Sequence, residues 1–501
     1  MKTNTLDFDA QALRDKILDL AMRGKLVPQD PNDEPASVLL EKIKAEKAEL
    51  VKEKKIKKSK PLPEITDDEK PFDIPDSWEW VRLGEVGNYI QRGRSPKYDK
   101  KNKSHPIISQ KCVQWENIYL KDAKYITKTF FDKLEDYRFV QENDVLWNST
   151  GTGTVGRLNI VKQNLDHIPV DSHVTLIRMN KQVNPDYIYY YLRSPEIQDN
   201  LNDYLTGTTK QKELGLTNIL KVKIPLPPLS EQSRIAAKIA QLFALLRKVE
   251  TSTQQYAKLQ TLLKSKVLDL AMRGKLVKQD PNDEPASVLL EKIKAEKAEI
   301  VKEKKIKKIK PLPPITDEEK PFDIPDSWEW VRLGNIVSYQ NGYAYKSSEL
   351  VKIRKGLPVI KSQNIMTLKV IIKDNNDYVK EPNEKMLNSK IIKGDLLMCL
   401  SSQSKNPEPL GKTAIYDLDK PALLNQRVLK LKLINHSMTD LIYYFINSSW
   451  FHFTVSHRGS GSGQSNLKLG DVMNMPIPVP PLNEEKHIVN RIEILFKKLS
   501  N

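Results

Sequence analysis

Apolar side chains recur through the middle of the chain at alternating steps of four and three residues. The positions on this face are Ile235, Ile239, Leu242, Leu246, Val249, Thr253, Tyr256, Leu259, Leu263, Val267 and Leu270. Such spacing is typical of a helix that packs on another helix, and it predicts one of about 40 residues, or about 60 Å. Thr253 interrupts the apolar face and the step at Leu259 changes its register, so we expect a packed helix pair and not a regular zipper.

The two ends of the chain carry the two halves of the same pattern. The C-terminal positions Ile488, Ile492, Leu495 and Leu499 match its first half, and the N-terminal positions Leu13, Ile17 and Leu20 match its second half. We therefore expect the termini to come together and rebuild a second helix, antiparallel to the first, in a pseudo-twofold circular arrangement of two helices and two heads. The alternative, two independent tandem domains on a linker, leaves the split helix unexplained.

A long internal repeat supports this organisation. The segment Lys16–Gly84 recurs 250 residues later as Lys266–Gly334, with differences at only six positions. A second, shorter recurrence is Ile224-Pro-Leu-Pro-Pro-Leu-Ser-Glu, which returns as Ile477-Pro-Val-Pro-Pro-Leu-Asn-Glu. A repeat with so long a period indicates two copies of a module of domain size, and not a solenoid.

Each copy of the long repeat contains a lysine-rich segment and then a proline- and tryptophan-rich one. We predict helices over Glu41–Lys60 and Glu291–Lys310, each with nine lysines against four glutamates. The following segments, 70–84 and 320–334, contain prolines that exclude a helix. Their paired tryptophans are expected to anchor the chain at the start of a globular head.

The stretches Arg82–Lys223 and Arg332–Met475 have diverged but keep a common skeleton. The corresponding segments are Pro106-Ile-Ile and Pro358-Val-Ile, Asp144-Val-Leu and Asp395-Leu-Leu, and the Tyr-rich Tyr189-Tyr-Tyr-Leu and Tyr443-Tyr-Phe-Ile. The Tyr-rich segments predict helices, and alternating runs such as Val174-Thr-Leu-Ile-Arg and Val428-Leu-Lys-Leu predict strands. We therefore predict an α+β fold with two mixed α/β heads separated by a pair of long antiparallel helices. The expected limits are 1–77 for an N-terminal helical repeat, 78–228 for the first head, 229–327 for the central helical repeat, 328–481 for the second head and 482–501 for a C-terminal helix.

The charge balance indicates a polyanionic partner. The chain of 501 residues has 81 Lys and Arg against 64 Asp and Glu, a net charge of +17 and an isoelectric point near 9.3. Nucleic acid is the first candidate and an acidic membrane surface the second, while the plainest alternative is that lysines only solvate long helices. Cys112 and Cys399 lie far apart, which indicates neither a disulfide framework nor a zinc site. Without a signal peptide or a long apolar stretch, a cytoplasmic location is expected.

Several short motifs resemble catalytic signatures without completing them. Gly151-Thr-Gly-Thr-Val-Gly156 matches a dinucleotide fingerprint, but the strand-like Arg157-Leu-Asn-Ile-Val follows it, so we predict a tight loop between strands. Gly411-Lys-Thr resembles a P-loop, but Asn406 stands where its first glycine is needed. Asn406-Pro-Glu-Pro lacks the second proline and the aromatic residue of a base-flipping methyltransferase box. The seven histidines form no ligand cluster, so neither a catalytic nor a metal centre is expected.

The order and duplication of these segments resemble a known family. Trp78-Glu-Trp-Val-Arg-Leu-Gly begins one diverged head, the same letters from Trp328 begin the other, and a Pro-x-Pro-Pro-Leu-x-Glu segment ends each. Over essentially its whole length the chain resembles the specificity subunits of type I restriction-modification systems. The resemblance implies that each head recognises one half of a bipartite, asymmetric site in double-stranded DNA. It also implies that the repeated helices bind two methyltransferase subunits, to which two motor-nuclease subunits can be added.

On this resemblance the chain itself holds no cofactor and is not an enzyme, because S-adenosylmethionine and ATP belong to the partner subunits. Two different heads suit two different half-sites, since identical heads would imply a palindrome. Two near-identical spacers suit two copies of one partner subunit. The alternative functions are a coiled-coil scaffold unrelated to DNA and a self-contained DNA enzyme.

Residues in polar loops at matching places of the two heads are the candidates for DNA contact. In the first head these are Gln91, Arg92, Arg94, Asn148, Thr150, Thr152, Arg157, Lys210 and Gln211. In the second head they are Asn341, Tyr343, Lys346, Gln363, Asn364, Gln403, Lys405, Gln426, Arg427 and Gln464. Arg, Gln and Asn can hold a base edge through two hydrogen bonds, whereas Lys mostly binds phosphate. For each residue alone, a solvated loop position is the plain alternative.

Overall fold

The apolar face through the middle of the sequence forms one helix of 44 residues, α9 (Leu229–Met272). The computed structural model describes residues 9–56, 58, 60–163, 165, 167–207, 212–306, 310–366, 369–401, 410–458 and 466–500. Its contacts divide the chain into two compact units at Thr253, inside α9.

The first unit contains a short helical segment, the first head and the first half of α9. Its other helices are α1 (Ala10–Met22), α2 (Ala36–Lys52), α3 (Leu83–Val86), α4 (Lys128–Phe131), α5 (Pro185–Leu192), α6 (Pro195–Gln198), α7 (Leu201–Tyr204) and α8 (Leu216–Leu220). Its strands are β1 (Glu79–Arg82), β2 (Gly87–Arg92), β3 (Pro106–Ile107), β4 (Lys124–Tyr125), β5 (Val145–Asn148), β6 (Leu158–Ile160), β7 (Val174–Met179), β8 (Leu205–Thr206), β9 (Glu213–Leu214) and β10 (Lys223–Leu226).

The second unit contains the second half of α9 and the second head. Its other helices are α10 (Ala286–Lys302), α11 (Leu333–Ile336), α12 (Glu384–Leu387), α13 (Thr439–Ile446), α14 (Ser449–Arg458), α15 (Leu469–Met473) and α16 (Leu482–Ser500). Its strands are β11 (Glu329–Arg332), β12 (Val337–Asn341), β13 (Leu357–Ile360), β14 (Ile365–Met366), β15 (Lys369–Val370), β16 (Tyr378–Val379), β17 (Lys390–Ile391), β18 (Leu396–Cys399), β19 (Thr413–Ile415), β20 (Ala422–Leu424), β21 (Val428–Leu433) and β22 (Pro476–Val479).

In the first unit, α1 runs antiparallel to the first half of α9. Arg14 near the start of α1 pairs with Glu250 at 2.5 Å, whereas Gln29 beyond its end donates to Glu231 in the first turn of α9. Because increasing residue numbers on one segment meet decreasing numbers on the other, the two helices are antiparallel. The predicted pairing of an N-terminal helix with the central helix is confirmed within this unit.

In the second unit, α16 pairs with the second half of α9 in the same sense. The Gln260 side chain donates to the carbonyl of Leu499 at 2.5 Å. Further along, Ile488 shares a buried apolar cluster with Leu268 and Ala271. Each half of α9 therefore has an antiparallel partner within its own unit, whereas the expected joining of the two termini into one helix stays a prediction.

Each head is built on a four-stranded antiparallel sheet. The strand order is β2-β7-β5-β6 in the first head and β12-β21-β18-β19 in the second. The Tyr-rich segments form α5 and α13, as predicted, and the Val174 and Val428 segments form the central strands β7 and β21. The mixed helix-and-strand fold with two heads and a linking helix is confirmed. The second head also has a mixed sheet in the order β16-β13-β20-β17, in which β13 and β20 are parallel.

The start and the end of each head are tied together. The strand that begins the first head, β1, pairs with the strand that ends it, β10, and β11 pairs with β22 in the second head. Beside these pairs, the indole N–H of Trp78 donates to Glu231 at 2.9 Å, and that of Trp328 donates to Glu484 at 2.9 Å. Trp78 and Trp328 are buried, as expected of anchors, whereas the second tryptophan of each pair, Trp80 or Trp330, is half-buried. Burial raises the pKa of Glu231 and of Glu484, and the tryptophan hydrogen bonds oppose that rise.

The lysine-rich helices are shorter than predicted. They were expected to reach Lys60 and Lys310, but α2 ends at Lys52 and α10 at Lys302. The chain turns away because Lys54 adopts a left-handed backbone conformation with a φ of 58°, as does Lys304 with a φ of 56°. In the described part of the chain, no helix combines the length and the apolar character that a membrane span requires.

Candidate nucleic-acid interface

In the first head, loops that are far apart in sequence meet at one edge of the four-stranded sheet. At this edge β2 and β5 end while β6 and β7 begin, because neighbouring strands are antiparallel. The backbone N–H of Asn148 donates to the carbonyl of Arg157 at 2.8 Å, which closes the loop between β5 and β6. The N–H of Ser149 donates to the carbonyl of His173 at 2.8 Å, which brings the loop before β7 alongside.

A small hairpin made of β8 and β9 attaches to the same edge. The N–H of Leu214 donates to the carbonyl of Ser149 at 2.8 Å. Arg92 donates to the carbonyl of Leu214 at 2.6 Å and also pairs with Glu213. The predicted residues Gln91 and Arg92, at the end of β2, and Arg94, Thr150, Thr152 and Arg157, on the loops, therefore share one edge, although up to 66 positions separate them in the sequence.

The second head has a corresponding edge that is held by the same set of backbone hydrogen bonds. The N–H of Cys399 donates to the carbonyl of Lys412 at 2.8 Å, in the place of the Asn148 bond. The N–H of Leu400 donates to the carbonyl of Arg427 at 2.9 Å, and the N–H of Leu467 donates to the carbonyl of Leu400 at 2.8 Å. These correspond to the bonds of Ser149 and Leu214 in the first head, so the residues of the two edges can be matched position by position.

The matched positions carry different side chains. From the first to the second head the pairs are Arg92 and Asn341, Arg94 and Tyr343, Arg157 and Lys412, Asp171 and Asn425, Ser172 and Gln426, His173 and Arg427, and Glu213 and Asn466. Main-chain hydrogen bonds form the common frame, and such bonds do not depend on which side chain is attached. The two heads thus present different chemical surfaces on one backbone design.

A carboxylate and an amide oxygen hold two arginines of the first edge in place. Arg94 pairs with Glu135 at 2.9 Å, and the same glutamate pairs with Arg138 at 2.7 Å. A backbone hydrogen bond, together with Arg138 and Arg94, lowers the pKa of Glu135 below its usual value, so this carboxylate stays charged. Arg157 donates to the side-chain oxygen of Gln114 at 2.7 Å. These guanidinium groups are oriented before any ligand binds, which favours readout by two hydrogen bonds.

A buried acid lies directly behind the first edge. Asp171 is fully buried, and its side chain accepts a hydrogen bond from the backbone N–H of His173 at 2.9 Å. Burial raises the pKa of Asp171, and the His173 bond opposes that rise. The ring of His173 in turn meets the hydroxyl of Thr150 at 2.6 Å. The predicted residue Thr150 is therefore tied to a histidine that sequence reasoning did not select.

Two of the predicted residues require correction. Asn148 and Asn364 are fully buried, so their side chains are not presented to solvent. The amide of Asn148 donates to the carbonyl of Gln110 at 2.9 Å, and the amide of Asn364 donates to the carbonyl of Ile371 at 2.8 Å. Buried amides are placed where they satisfy backbone groups, and these two fix loops behind the edge. We leave them out of the interface.

The other predicted residues of the second head occupy its edge or lie near it. Gln363, Gln426, Asn341 and Lys346 are exposed, and Tyr343 and Arg427 are half-buried. The N–H of Gln426 donates to the carbonyl of Tyr343 at 2.9 Å, which places their two loops side by side. Lys210, Gln211, Gln403, Lys405 and Gln464 lie outside the described residues, as does the Asn406-Pro-Glu-Pro segment.

The glycine-rich motif that resembles a dinucleotide fingerprint belongs to the loops of the first edge. The Gly151–Gly156 segment joins β5 to β6, and no helix follows it, as predicted for a loop between strands. Gly151, Gly153 and Gly156 all have positive φ angles, a conformation that side chains disfavour. Within the described ranges, no group of three or more His, Cys, Asp and Glu side chains is placed to hold a metal ion.

Sequence reasoning missed several edge residues. They are Ser172 and His173 in the first head, and Asn425 and Lys412 in the second. A usable signal exists, because the polar tripeptides Asp171-Ser-His and Asn425-Gln-Arg each directly precede a β-branched, apolar strand. Matching the two heads at Val174 and Val428 would have aligned these tripeptides.

The molecule thus belongs to a class of two-headed α/β proteins whose heads share a backbone frame and differ in the polar residues at one edge. The family model described as the type I restriction modification DNA specificity domain matches the chain twice, at residues 75–260 and 325–501. The chain belongs to this family, the specificity subunits of type I restriction enzymes, and its role is that of a DNA-specificity subunit. The resemblance seen in the sequence is confirmed.

Individual relatives agree over nearly the whole length. The EcoAI specificity subunit of Escherichia coli is 34% identical, with 98% of this chain and 89% of that protein covered. The EcoEI specificity subunit of the same species is 30% identical with the same coverage. A chain from a solved structure of the type I restriction-modification system shares the fold, with a TM-score of 0.54 at 20% identity over 86% of this chain and 92% of that one. Homology to specificity subunits implies a non-catalytic role in a restriction-modification assembly.

Proposed function

We propose that the two heads, residues 78–228 and 328–481, are target-recognition domains that each read one half of a bipartite, asymmetric DNA site. One observation carries this proposal: the edges of the two heads have the same main-chain hydrogen bonds but different side chains. A shared frame would dock on DNA in the same manner twice, whereas different side chains would select different bases. Two unequal half-sites are the expected consequence.

The proposed contacts follow from side-chain chemistry. Arginine suits the O6 and N7 atoms of guanine, glutamine and asparagine suit adenine, and lysine suits phosphate. The described residues that we assign to the interface are Gln91, Arg92, Arg94, Thr150, Thr152, Arg157 and His173 in the first head, and Asn341, Tyr343, Lys346, Gln363, Lys412, Gln426 and Arg427 in the second. Arg94 and Tyr343 offer the clearest comparison between the heads, because they occupy matched positions and differ in charge and shape.

The helical segments, 1–77, 229–327 and 482–501, are proposed to dock two methyltransferase subunits. Large apolar side chains on α9 remain exposed, Leu245 and Val249 at 50% and 45% in the first unit and Leu259 and Leu262 at 56% and 65% in the second. Exposed apolar groups at helical spacing favour packing against another helix. Two motor-nuclease subunits would join this assembly. S-adenosylmethionine and ATP would be bound by the partners, and the site of action would be the cytoplasm.

Matched variants at the two edges test the proposal. Arg94→Ala and Tyr343→Ala are each assembled with the methyltransferase partner, and the methylated sequences are then mapped on genomic DNA. We expect Arg94→Ala to relax or change one half of the motif and Tyr343→Ala to change only the other half. Loss of a good two-bond base contact costs about 1–3 kcal/mol of discrimination. If either variant alters both half-sites, the heads are not independent readers.

A further inference from the structure

The ends of the two lysine-rich helices have an unusual backbone. In the first unit, the N–H of Lys55 donates to the carbonyl of Leu50 at 2.9 Å, and that of Lys54 donates to Val51 at 3.1 Å. This pair of bonds is the Schellman arrangement that closes many helices. Lys305 and Lys304 close α10 in the same way, with bonds of 3.1 and 3.0 Å.

Lysine stands at the position of this arrangement where glycine is normally found. The left-handed φ of Lys54 and Lys304 is disfavoured for any residue with a Cβ, and glycine adopts it without strain. Lysines near a helix C-terminus do complement the helix dipole, but that effect does not require a lysine at the strained position itself. Both copies of the repeat thus place a positively charged side chain at this turn.

The strained lysines lie within small basic surfaces. We call Lys52, Lys54 and Lys55 the first lysine turn, and Lys302, Lys304 and Lys305 the second lysine turn. All six side chains are exposed. One acid lies among the lysines of each turn. Glu53 pairs with Lys55 at 2.9 Å in the first turn, and Glu303 pairs with Lys305 at 2.8 Å in the second. The two turns are identical in sequence and carry an excess of two positive charges each.

We call the sheet edge that carries the candidate DNA contacts the reading edge. The chain on either side of the first lysine turn is fastened to the opposite end of the head. The ammonium group of Lys47 on α2 donates to the carbonyls of Gly84 and Gly87 at 2.9 Å each, and Leu62 returns to contact Gly84. Gly87 begins β2, whereas the reading edge is where β2 ends, at Arg92. Five steps along a strand separate these points by about 17 Å. Lys297 fastens α10 to Gly334 and Val337 in the same way in the second unit.

We propose that the lysine turns are electrostatic docking surfaces for an acidic patch on the methyltransferase subunit, one copy on each turn. Their identity suits two copies of one partner, and it does not suit two different half-sites. Their position away from the reading edge separates them from the bases. This inference rests on the proposed assembly, and it adds an ionic contact to the apolar one on α9.

The test uses three forms of the full-length chain. The first-turn variant is Lys52→Ala, Lys54→Gly and Lys55→Ala, the second-turn variant carries the same changes at Lys302, Lys304 and Lys305, and the third form combines both sets. Glycine at the left-handed position removes charge and strain together, so thermal stability is retained or raised. Binding of the purified methyltransferase subunit of the same system is measured by calorimetry at about 50 and about 300 mM salt, between which ionic contacts are increasingly screened.

We expect the wild-type chain to bind two methyltransferase subunits, and each single-turn variant to weaken one of the two sites about tenfold at low salt. The combined variant should weaken both sites, with a smaller loss at high salt, while the methylated motif stays the same. Unchanged methyltransferase binding overturns the inference. A reduced salt dependence of DNA binding, by about 0.9 per lost phosphate contact, together with unchanged methyltransferase binding, would instead assign the turns to DNA. If the wild-type chain binds no methyltransferase, the proposed assembly itself fails.

Discussion

Glu485 is a buried acid in the second unit that takes the place of a glutamine in the first. In the first unit, the oxygen of Gln232 accepts from the N–H of Asn184 at 2.8 Å, and its amide donates to the carbonyl of Pro227 at 2.8 Å. Glu485 occupies the matched position and is 1% exposed. One of its carboxylate oxygens has no hydrogen-bond partner among the described residues. An ionised glutamate cannot donate as the glutamine does.

The cost of this substitution can be worked out from the pKa. Burial, and then the negative charge of Asp440, raise the pKa of Glu485 from 4.5 to about 7, while Lys486 opposes the rise. Since one pKa unit corresponds to about 1.4 kcal/mol, ionisation in the folded state costs about 3 kcal/mol. Below pH 4.5 Glu485 is protonated in both the folded and the unfolded chain, so it costs no free energy of unfolding. As the pH rises from 4.5 to 7 the unfolded chain ionises first, stability falls, and the loss is complete above about pH 7.

Glu485→Gln should therefore stabilise the second unit, and more so as the pH rises. In a unit of this size about 3 kcal/mol corresponds to a melting temperature roughly 6–12 °C higher at about pH 8, with a much smaller gain at about pH 5. Calorimetric unfolding at both pH values measures the difference. The reciprocal variant Gln232→Glu is the matched control and should destabilise the first unit near pH 8. Equal melting of Glu485→Gln and wild type at pH 8, or a gain that does not depend on pH, would refute this reasoning.

Two further predictions concern buried contacts behind the heads. Lys297→Met should destabilise the second unit by about 1–3 kcal/mol in chemical denaturation, because the carbonyls of Gly334 and Val337 lose a half-buried donor. Gly93→Ala should lower both stability and recognition of the first half-site, since a Cβ there would overlap the carbonyl oxygen of Val170. Mapped methylation should show the second half-site unchanged, and a fully active, equally stable Gly93→Ala chain would contradict the close approach.

The long-range organisation could be predicted because periodic spacing survives in the sequence. The four-and-three spacing predicted α9, and the split copies at the termini predicted the antiparallel partners of its two halves. Where the prediction was wrong, a single backbone conformation was responsible. Composition favours a helix through Lys60, but the left-handed turn at Lys54 ends α2 early, and no lysine pattern encodes that φ angle.

The reading edge could be predicted only in outline. Loops that follow β2 and β5 meet the loop that precedes β7 because antiparallel strands bring those ends together, and this much follows from topology. Burial of individual polar side chains does not follow, since it depends on contacts between distant segments. Asn148 was predicted to contact DNA, whereas its buried amide donates to the backbone carbonyl of Gln110. His173 was missed because it meets Thr150 only in the folded head.

The matched heads amount to a substitution series within one molecule. Arg92 pairs with Glu213 in the first head, whereas asparagines, Asn341 and Asn466, occupy both matched positions in the second. An ion pair has thus been exchanged at both ends while the surrounding main-chain bonds stayed the same. The side chains of Arg92 and Glu213 are 22% and 46% exposed, so water screens this pair and its exchange costs little stability. The main-chain frame therefore lets the polar side chains of this edge vary while the fold is kept.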